Sequence, residues 1–211
     1  MTRLRVAFQG EAGAYGEEAI RIRWNGEADP LPVRSFALAV AAVLQGAADT
    51  AVLPTWNTVV GEVEGAVRAI GAAGSRLSVA GELSVPVRHA LMALSGATLA
   101  SVRWVGSHPV ALAQCSRFLA ANPGIEPRNA YDTGGAAREL HDLVDPWSRL
   151  RLQHEPRWYD EFEHTGPESL CVIAGAGAAA AHGLSVLLSD VQDHPDNTTR
   201  FAVISPRELV R

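Results

Sequence analysis

The sequence predicts an α/β fold in which helices cover a β-sheet. Short apolar runs that end at glycine or proline alternate with helical stretches over residues 3–73. Hydrophobic residues occupy 47% of the 211 positions and charged residues 19%, an apolar fraction that excludes a disordered chain. The length allows one large domain or two small ones, and no repeat or low-complexity linker divides the chain.

The first third of the chain follows the order β-α-β-α-β-α. The apolar run from Arg3 to Gln9 ends in glycine and predicts a buried first strand. Gly46 is expected to end the second helix, and Pro54 to close the third strand. The predicted strands cover residues 3–9, 31–36 and 50–53, and the predicted helices cover residues 17–24, 37–45 and 61–73.

The middle of the chain continues with short strands and two helices. The sequence Ser107-His-Pro predicts the start of a helix over residues 110–120, because proline fits just inside a first helical turn. Asp132 is expected to cap a helix that ends near Leu143. The predicted strands of this region cover residues 77–80, 84–92, 102–105 and 126–131.

An irregular stretch separates these elements from the last ones. Residues 145–167 contain several prolines, Trp147, Trp158, Tyr159 and many charges without a regular period, so we expect an excursion on the protein surface. Beyond it, strands are predicted over residues 169–174, 185–188 and 200–204, and a helix of small residues over residues 175–182.

The composition excludes several classes of chemistry. All 18 basic residues are arginine, and the absence of lysine removes P-loop, pyridoxal-phosphate and Schiff-base mechanisms, since each needs an ε-amino group. A net charge of −5 gives no electrostatic reason to expect nucleic acid as a partner. Cys115 and Cys171 lie far apart and are expected to be small buried residues, and the seven histidines are scattered. We expect no metal ion and no other cofactor.

The start of the chain lacks the apolar core of a signal peptide. No uninterrupted apolar run approaches the roughly 18 residues of a membrane span. We therefore expect a soluble, cytoplasmic protein without a membrane partner.

Three segments carry polar groups or glycines at the ends of predicted strands. The first, Gly10–Gly16, has the spacing GxxGxxG, which favours a structural tight turn or a small-anion site over a dinucleotide site. In the second, Asn57 and Thr58 follow the third strand. They either contact a carboxylate or hydroxyl of a ligand, or cap the next helix.

The third segment, Asp193–Phe201, is the densest polar constellation in the sequence. Strand alternation separates Thr199 from Arg200 and places Thr199 on one face with Phe201. A loop with a hydroxyl donor beside an arginine suits recognition of a hydroxy-carboxylate. The alternative is an ordinary turn that enters an edge strand.

Six segments, in this order along the chain, resemble the prephenate dehydratase family and the closely similar arogenate dehydratases. They are Val6–Tyr15, Ala51–Thr58 (similar to the family's PIENS segment), Gly81-Glu82 with His89, Ser107–Cys115 (nearly SHPQALAQC), Asp132–Ala137 (similar to DTAGAA) and Gln192–Phe201 (similar to QD followed by N-TRF). Residues 141–168 fall outside the resemblance and are expected to be an insertion.

The resemblance implies a fold of two α/β lobes with a central cleft, like a type 2 periplasmic binding protein. One discontinuous lobe would contain residues 1–83 and 189–211, and the other residues 84–188. Many relatives carry a C-terminal ACT domain that senses phenylalanine. This chain ends at Arg211, just after the TRF segment, so no ACT domain is expected.

The resemblance also implies a reaction, in which prephenate loses carbon dioxide and water to give phenylpyruvate, in L-phenylalanine biosynthesis. Thr199 would then be the catalytic residue that activates the leaving hydroxyl, and Arg200 the carboxylate clamp. The further substrate contacts implied across the cleft are Asn57, Thr58, Ser107 and Thr133. A homodimer is expected from the family and from the prevalence of symmetric dimers.

The chain also departs from the family pattern. Trp56 stands where the PIENS segment has glutamate, so a charge is replaced by a large apolar ring. If that carboxylate transfers a proton in relatives, this chain works differently; if it is structural, Trp56 could desolvate the pocket. Three alternatives therefore stay open: an arogenate dehydratase, a prephenate decarboxylase that does not aromatise its product, and a binding protein without catalytic activity.

Overall fold

The computed structural model of the protein describes residues 3–144, 158–159 and 165–207. The chain forms two compact units, each with its own β-sheet. The first unit contains Met1–Glu11, Tyr15–Val87 and Asp196–Arg211, and the second contains Ala12–Ala14 and Arg88–Pro195. The mixed α/β class predicted from the sequence is confirmed. Within the described ranges, no helix is both long and apolar enough to cross a membrane.

The first unit is built on a six-stranded sheet. Its strands are β1 (Leu4–Gln9), β2 (Ala28–Val33), β3 (Thr50–Asn57), β4 (Gly61–Glu62), β5 (Leu77–Pro86) and β11 (Thr198–Pro206). They lie in the order β2-β1-β3-β11-β5, with β4 beside β3. Strand β1 pairs in parallel with β2 and β3, whereas β11 pairs antiparallel with both β3 and β5. Strand β11 thus lies inside the sheet, between β3 and β5, although its residues are far from theirs in sequence.

Three helices complete the first unit, namely α1 (Tyr15–Trp24), α2 (Phe36–Leu44) and α3 (Glu64–Ala73). Helix α1 lies close to β1, since a Cβ atom on Gly16 would approach the Phe8 ring to 2.9 Å. Helix α2 begins where the Ser35 side chain accepts a hydrogen bond from the Leu38 amide. Helices α2 and α3 share an apolar cluster with the sheet, and its members include Val43, Leu53, Ala66 and Ile204.

Strand β3 runs four residues past the expected end at Leu53. It continues through Pro54 because the pairing with β11 contains a bulge, where Arg200 lies opposite Trp56 and Phe201 opposite Pro54. Thr55 is the extra residue, and its hydroxyl donates to the Arg200 carbonyl over 3.2 Å. A bulge tolerates a residue without an N–H group, so the proline does not end the strand. This extension carries Asn57 to the end of the strand.

The second unit is built on a five-stranded sheet in the order β10-β6-β9-β7-β8. The strands are β6 (His89–Ala93), β7 (Trp104–Ser107), β8 (Glu126–Asn129), β9 (Leu170–Gly175) and β10 (Ser185–Leu188). Strand β7 pairs in parallel with β8 and β9, and β6 pairs antiparallel with β9 and β10. The helices are α4 (Pro109–Ala113), α5 (Ser116–Ala121), α6 (Thr133–Asp142) and α7 (Gly177–His182).

The helix expected over residues 110–120 is two helices, α4 and α5. The Asp193 carboxylate accepts hydrogen bonds from the backbone amides of Ser116 and Arg117, at 3.0 and 2.9 Å, and from the Ser116 hydroxyl at 2.6 Å. An acceptor at this position caps a new helix N-terminus, so α5 starts afresh at Ser116. The capping residue is distant in sequence, which is why the local pattern does not reveal the break.

The boundaries between the units differ from the expected 83/84 and 188/189. Strand β5 pairs with β11 along its whole length, from Leu77 to Pro86, so the first unit extends to Val87. Residues before 196 stay with the second unit, because Val191 donates to the His89 carbonyl and Asp193 caps α5.

The expectation of a surface excursion over residues 145–167 is wrong for two of its aromatic residues. Trp158 is 8% exposed and Tyr159 is fully buried, in the apolar cluster formed by β9 and α6. Trp147, the other aromatic residue of that stretch, lies outside the described residues.

Candidate active site

The predicted catalytic residue Thr199 and the predicted binding residue Asn57 lie opposite each other in the first unit. They are cross-strand partners of β11 and β3, and Asn57 Nδ2 lies 2.9 Å from Thr199 Oγ1. Both side chains are buried, with 5% of Asn57 and 9% of Thr199 exposed. The structure therefore brings together two residues that are 142 positions apart in sequence.

The orientation of the Asn57 amide is fixed by its surroundings. Its Oδ1 accepts hydrogen bonds from the backbone amides of Val59 at 2.9 Å and Val60 at 3.1 Å. The other end of the amide, Nδ2, therefore has to face β11. There Nδ2 lies 2.7 Å from Asn197 Oδ1 in addition to Thr199 Oγ1. The Thr198 carbonyl is farther away, at 3.2 Å. Both ends of the Asn57 amide are thus engaged within the protein.

This arrangement determines what the Thr199 hydroxyl can do. Because Nδ2 of Asn57 is a donor, Thr199 Oγ1 is the acceptor, and its own proton remains available for donation. Among the described residues, no hydrogen bond donated by the Thr199 hydroxyl is found. The geometry leaves a buried hydroxyl with one lone pair engaged and its proton available.

Thr58 holds the loop before β11 rather than capping a helix. Its amide donates to the Thr198 carbonyl at 3.0 Å, and its Oγ1 accepts from the Thr198 amide at 3.0 Å. The residue that precedes α3 is Val63, after the β4 hairpin strand. The alternative that Asn57 and Thr58 cap the next helix is therefore wrong.

Arg200 does not lie beside Thr199. It is the cross-strand partner of Trp56, and its guanidinium lies 4.0 Å from the Glu82 carboxylate, with about half of each side chain exposed. Cross-strand partners share a face of the sheet, so Thr199 and Arg200 project from opposite faces. The Arg200 clamp that the resemblance implies stays a prediction, with the guanidinium on the face opposite the Thr199 hydroxyl.

Trp56 shares the face of Arg200 and is 45% exposed. Its ring approaches Gly61, whose φ of +82° shapes the hairpin between β3 and β4. The ring therefore does not cover Thr199. The replacement of the family glutamate by tryptophan leaves the Asn57–Thr199 pair intact.

In the second unit, Ser107 and Thr133 occupy the ends of two elements. Ser107 is fully buried at the carboxyl end of β7, and its hydroxyl donates to the Ile173 carbonyl at 2.5 Å. Thr133 is the first residue of α6 and directly follows the N-cap residue Asp132. The Asp132 side chain accepts a hydrogen bond from the Gly135 amide at 2.6 Å. Thr133 is partly exposed, and a helix N-terminus favours a nearby negative charge.

The second unit contains a buried polar network that sequence patterns do not reveal. His89 Nε2 lies 3.0 Å from Gln114 Oε1, and the His89 amide donates to Gln192 Oε1 at 2.8 Å. Burial lowers the pKa of His89, and the contact with Gln114 opposes this shift only in part. All three residues stand inside the family segments, but their mutual contact depends on tertiary structure.

The polar segment Asp193–Phe201 divides between the two units. Burial of Asp193 opposes ionisation, but the hydrogen bonds from Ser116 and Arg117 outweigh it and lower the pKa of the carboxyl. Asp193 is thus an ionised helix cap of the second unit, whereas Thr199 belongs to the first. The segment is not one continuous binding loop.

The glycine segment near the N-terminus has a packing role at Gly13. This residue has a φ of +81°, and a Cβ atom there would lie 2.5 Å from the Ala178 Cα in α7. The structural alternative therefore accounts for Gly13. Nearby, His182 Nε2 lies 2.9 Å from the Ala12 carbonyl oxygen. In the described part of the chain, no group of three or more His, Cys, Asp or Glu side chains could hold a metal ion.

Comparison with known proteins extends these findings. A sequence model of the family described as "Prephenate dehydratase" matches residues 6–209. A bifunctional N-acyl-homoserine lactone acylase/prephenate dehydratase of Komagataeibacter europaeus is 35% identical over 202 residues, which are 96% of this chain and 63% of the relative. Arogenate dehydratase 2 of Petunia hybrida is 32% identical over 210 residues, 99% of this chain and 46% of that protein.

Solved structures give the same result. The prephenate dehydratase of Arthrobacter aurescens, in complex with L-Phe, superposes with a TM-score of 0.75 and 26% identity, over 98% of this chain and 61% of that one. This chain thus spans less than two thirds of the length of these three proteins. Since the family model covers nearly all of its residues, the chain belongs to the prephenate dehydratase family.

Proposed function

We propose that this chain is a prephenate dehydratase, a carbon–oxygen lyase of L-phenylalanine biosynthesis, in which Thr199 activates the leaving hydroxyl. The observation that carries the proposal is the hydrogen bond from Asn57 Nδ2 to Thr199 Oγ1. Because Thr199 Oγ1 is the acceptor of this bond, its own proton is available to a ligand. A departing hydroxyl group needs such a hydrogen-bond donor. Family membership supports the choice of substrate.

The proposed reaction breaks two bonds of prephenate. The bond between ring carbon C1 and its carboxylate breaks, and its electron pair moves through the ring while carbon dioxide leaves. The C4–oxygen bond breaks at the other end of the ring, and the oxygen leaves as water after taking up one proton. The products are phenylpyruvate, carbon dioxide and water, and formation of the aromatic ring supplies the driving force.

Thr199 would act as a positioned hydrogen-bond donor. A threonine hydroxyl is a poor acid, so it can stabilise charge on the departing oxygen and pass on a proton, but cannot be the net proton source. A donor held in place before the reaction needs no reorganisation when the charge develops. We assign Asn57 to holding Thr199 rather than to direct substrate contact, because both ends of its amide are occupied.

The carboxylate contacts need a different assignment from the expected Arg200 clamp, since Arg200 lies on the other face of the sheet. We propose that Thr133, the first residue of the ten-residue helix α6, contacts a substrate carboxylate through its hydroxyl, since the Asp132 carboxylate already accepts the hydrogen bond from the Gly135 amide of that turn. Ser107 would position the carboxyl end of β7 rather than touch the ligand, because its fully buried hydroxyl is bonded to the Ile173 carbonyl. Thr58 would act through the loop that it holds before β11.

The test is an assay of the purified chain with prephenate, in which products are followed by ultraviolet absorbance and mass. We expect phenylpyruvate from the wild type, and a rate lower by about 10³-fold in Thr199→Ala, as for removal of a single oxyanion-hole donor. The matched control is Thr198→Ala, which removes the neighbouring hydroxyl on the opposite face and is expected to keep most of the activity.

Other outcomes distinguish the alternatives. Phenylalanine from arogenate at a higher kcat/KM would make the chain an arogenate dehydratase. A decarboxylated product that is not aromatic would establish the decarboxylase. Tight binding of prephenate without turnover would establish a binding protein, and each of these results would overturn the proposal as stated.

The location and assembly of the protein belong to the same proposal. We propose a cytoplasmic homodimer, because two-fold symmetric dimers are the commonest oligomers of soluble enzymes. Light scattering should then give twice the 22.4 kDa mass of the chain. A mass equal to that of one chain would contradict the dimer without affecting the proposed reaction.

A further inference from the structure

Two aromatic residues outside the family segments are built into the second unit. Trp158 and Tyr159 are 8% and 0% exposed, although arginine precedes them and aspartate follows them in the sequence. Their rings meet edge to face, with centroids 5.3 Å apart and planes at 84°. This is a favoured geometry for an aromatic pair, and the pair packs as a unit.

The indole of Trp158 packs directly against the backbone of β7. A Cβ atom on Gly106 would lie 2.4 Å from Cδ2 and from Cε2 of the indole, closer than any real carbon contact. The indole thus occupies the space above Gly106, where any other residue would place a side chain. Gly106 immediately precedes Ser107, a predicted substrate contact.

The same two aromatic residues are bonded to α6. Trp158 Nε1 donates to the Ala136 carbonyl at 3.4 Å, one helical turn beyond Thr133. Tyr159 Oη donates to the Glu139 carbonyl at 2.8 Å, farther along the same helix. Trp158 therefore touches both elements that carry the predicted binding residues of the second unit.

We propose that Trp158 is a positioning residue that sets the distance between Ser107 and the N-terminus of α6, and so tunes substrate affinity. The inference rests on the proposed function, because it takes Thr133 as a substrate contact and the end of β7 as the support beside it. A rigid indole between a strand end and a helix fixes their spacing, and small errors in such spacing weaken binding. Asn57 and Thr199 belong to the first unit, whereas Trp158 is packed within the second, so the effect falls on KM rather than on kcat.

The decisive experiment is a double-mutant cycle on Trp158 and Gly106, with kcat and KM measured for prephenate. Trp158→Ala removes the indole, and Gly106→Ala displaces it while keeping every other core side chain. We expect KM to rise by about 10-fold or more in each variant, with kcat within about 3-fold of the wild type. In the double variant the methyl group added by Gly106→Ala enters the space that the indole vacates, so KM should be no higher than in Trp158→Ala alone.

Tyr159→Phe is the matched control, since it removes a hydrogen bond of the same pair but keeps both rings. It should lower the melting temperature and leave KM unchanged. Circular dichroism establishes that each variant is folded. If Trp158→Ala does not fold, Gly106→Ala and Trp158→Phe carry the test, and Trp158→Phe is expected to keep KM closer to the wild type than Gly106→Ala.

The outcomes separate this inference from the proposed function. An active wild type with an unchanged KM in folded Gly106→Ala overturns the positioning role alone. Single effects on KM that multiply in the double variant also overturn it, because they would mean that the two residues act independently. A wild type that does not convert prephenate overturns both proposals.

Discussion

Asn57 and Thr199 face each other across β3 and β11, with Nδ2 of the amide 2.9 Å from the hydroxyl oxygen. The amide is held from behind by two backbone N–H groups, so the direction of this hydrogen bond is fixed. The hydroxyl of Thr199 therefore receives one hydrogen bond and keeps its proton. Reversing the direction of that single bond should remove the activity without removing either side chain.

Asn57→Asp makes this reversal with almost no change of shape. A carboxylate cannot donate, so the Thr199 hydroxyl would turn its proton towards residue 57 and lose it for the substrate. We expect kcat to fall by about 10²-fold or more, the range found when a positioned donor is lost, with KM within a few-fold of the wild type. Steady-state kinetics with prephenate measure both values. A kcat close to the wild type would mean that the direction of this hydrogen bond is irrelevant to the reaction.

Arg200 belongs to the same family segment as Thr199, but its side chain lies on the opposite face of the sheet. Its contact with Glu82 is long at 4.0 Å and half exposed, and pairs of this kind contribute about 0–1 kcal/mol. Arg200→Ala should therefore keep kcat/KM within about 5-fold of the wild type and change the free energy of unfolding by less than about 1 kcal/mol. Kinetics and urea unfolding of the same sample check both statements. A KM raised by about 100-fold would restore Arg200 as the carboxylate clamp.

Only part of this site can be predicted from the sequence. Strand alternation alone separates Thr199 from Arg200, and the structure has them on opposite faces. The bond between Asn57 and Thr199 has no local pattern, because it joins strands whose residues are 142 positions apart. The buried network of His89, Gln114 and Gln192 likewise has no local pattern, because its members meet only in the folded protein.

The observed elements match the predicted ranges where the hydrophobic periodicity is clear. They differ where tertiary contacts determine the ends of an element. The first strand and the first two helices are close to the predicted ranges, since they follow from the apolar runs alone. Strand β2 lies at 28–33 rather than 31–36, because it is an edge strand that accommodates Pro30 and Pro32 beside β1. Trp158 could not be placed from the sequence, because nothing near it indicates that Gly106 leaves room for an indole.

The buried His89 should make stability depend on pH. Its pKa is lowered from the usual 6.5, chiefly by burial, so the unfolded chain takes up this proton at a higher pH than the folded protein does. Stability is then fully present above about pH 6.5 and is lost as the pH falls below that value, by up to about 1.4 kcal/mol per pH unit. Urea unfolding at about pH 7.5 and about pH 5.5 measures the difference, and His89→Gln should reduce it. Equal differences in both proteins would assign the pH dependence to other groups.

Gly13 offers the most direct test of how residues 12–14 pack on α7. Gly13 has a φ of +81°, and a Cβ atom there would meet the Ala178 backbone at 2.5 Å. Gly26 has nearly the same φ, +76°, but nothing lies within 4 Å of its would-be Cβ atom. Gly26→Ala therefore measures the cost of the left-handed backbone alone, about 1–2 kcal/mol.

Gly13→Ala combines the cost of the left-handed backbone with a steric clash between the new Cβ atom and the Ala178 backbone. A backbone neighbour cannot move aside as a flexible side chain can, so the loop has to separate from α7 or the helix has to shift. We expect Gly13→Ala to lower the free energy of unfolding by about 2 kcal/mol more than Gly26→Ala does, a difference typical of overpacking. Urea unfolding of the two variants gives this difference directly. Equal losses would mean that the loop packs loosely against α7 and that Gly13 serves only its own turn.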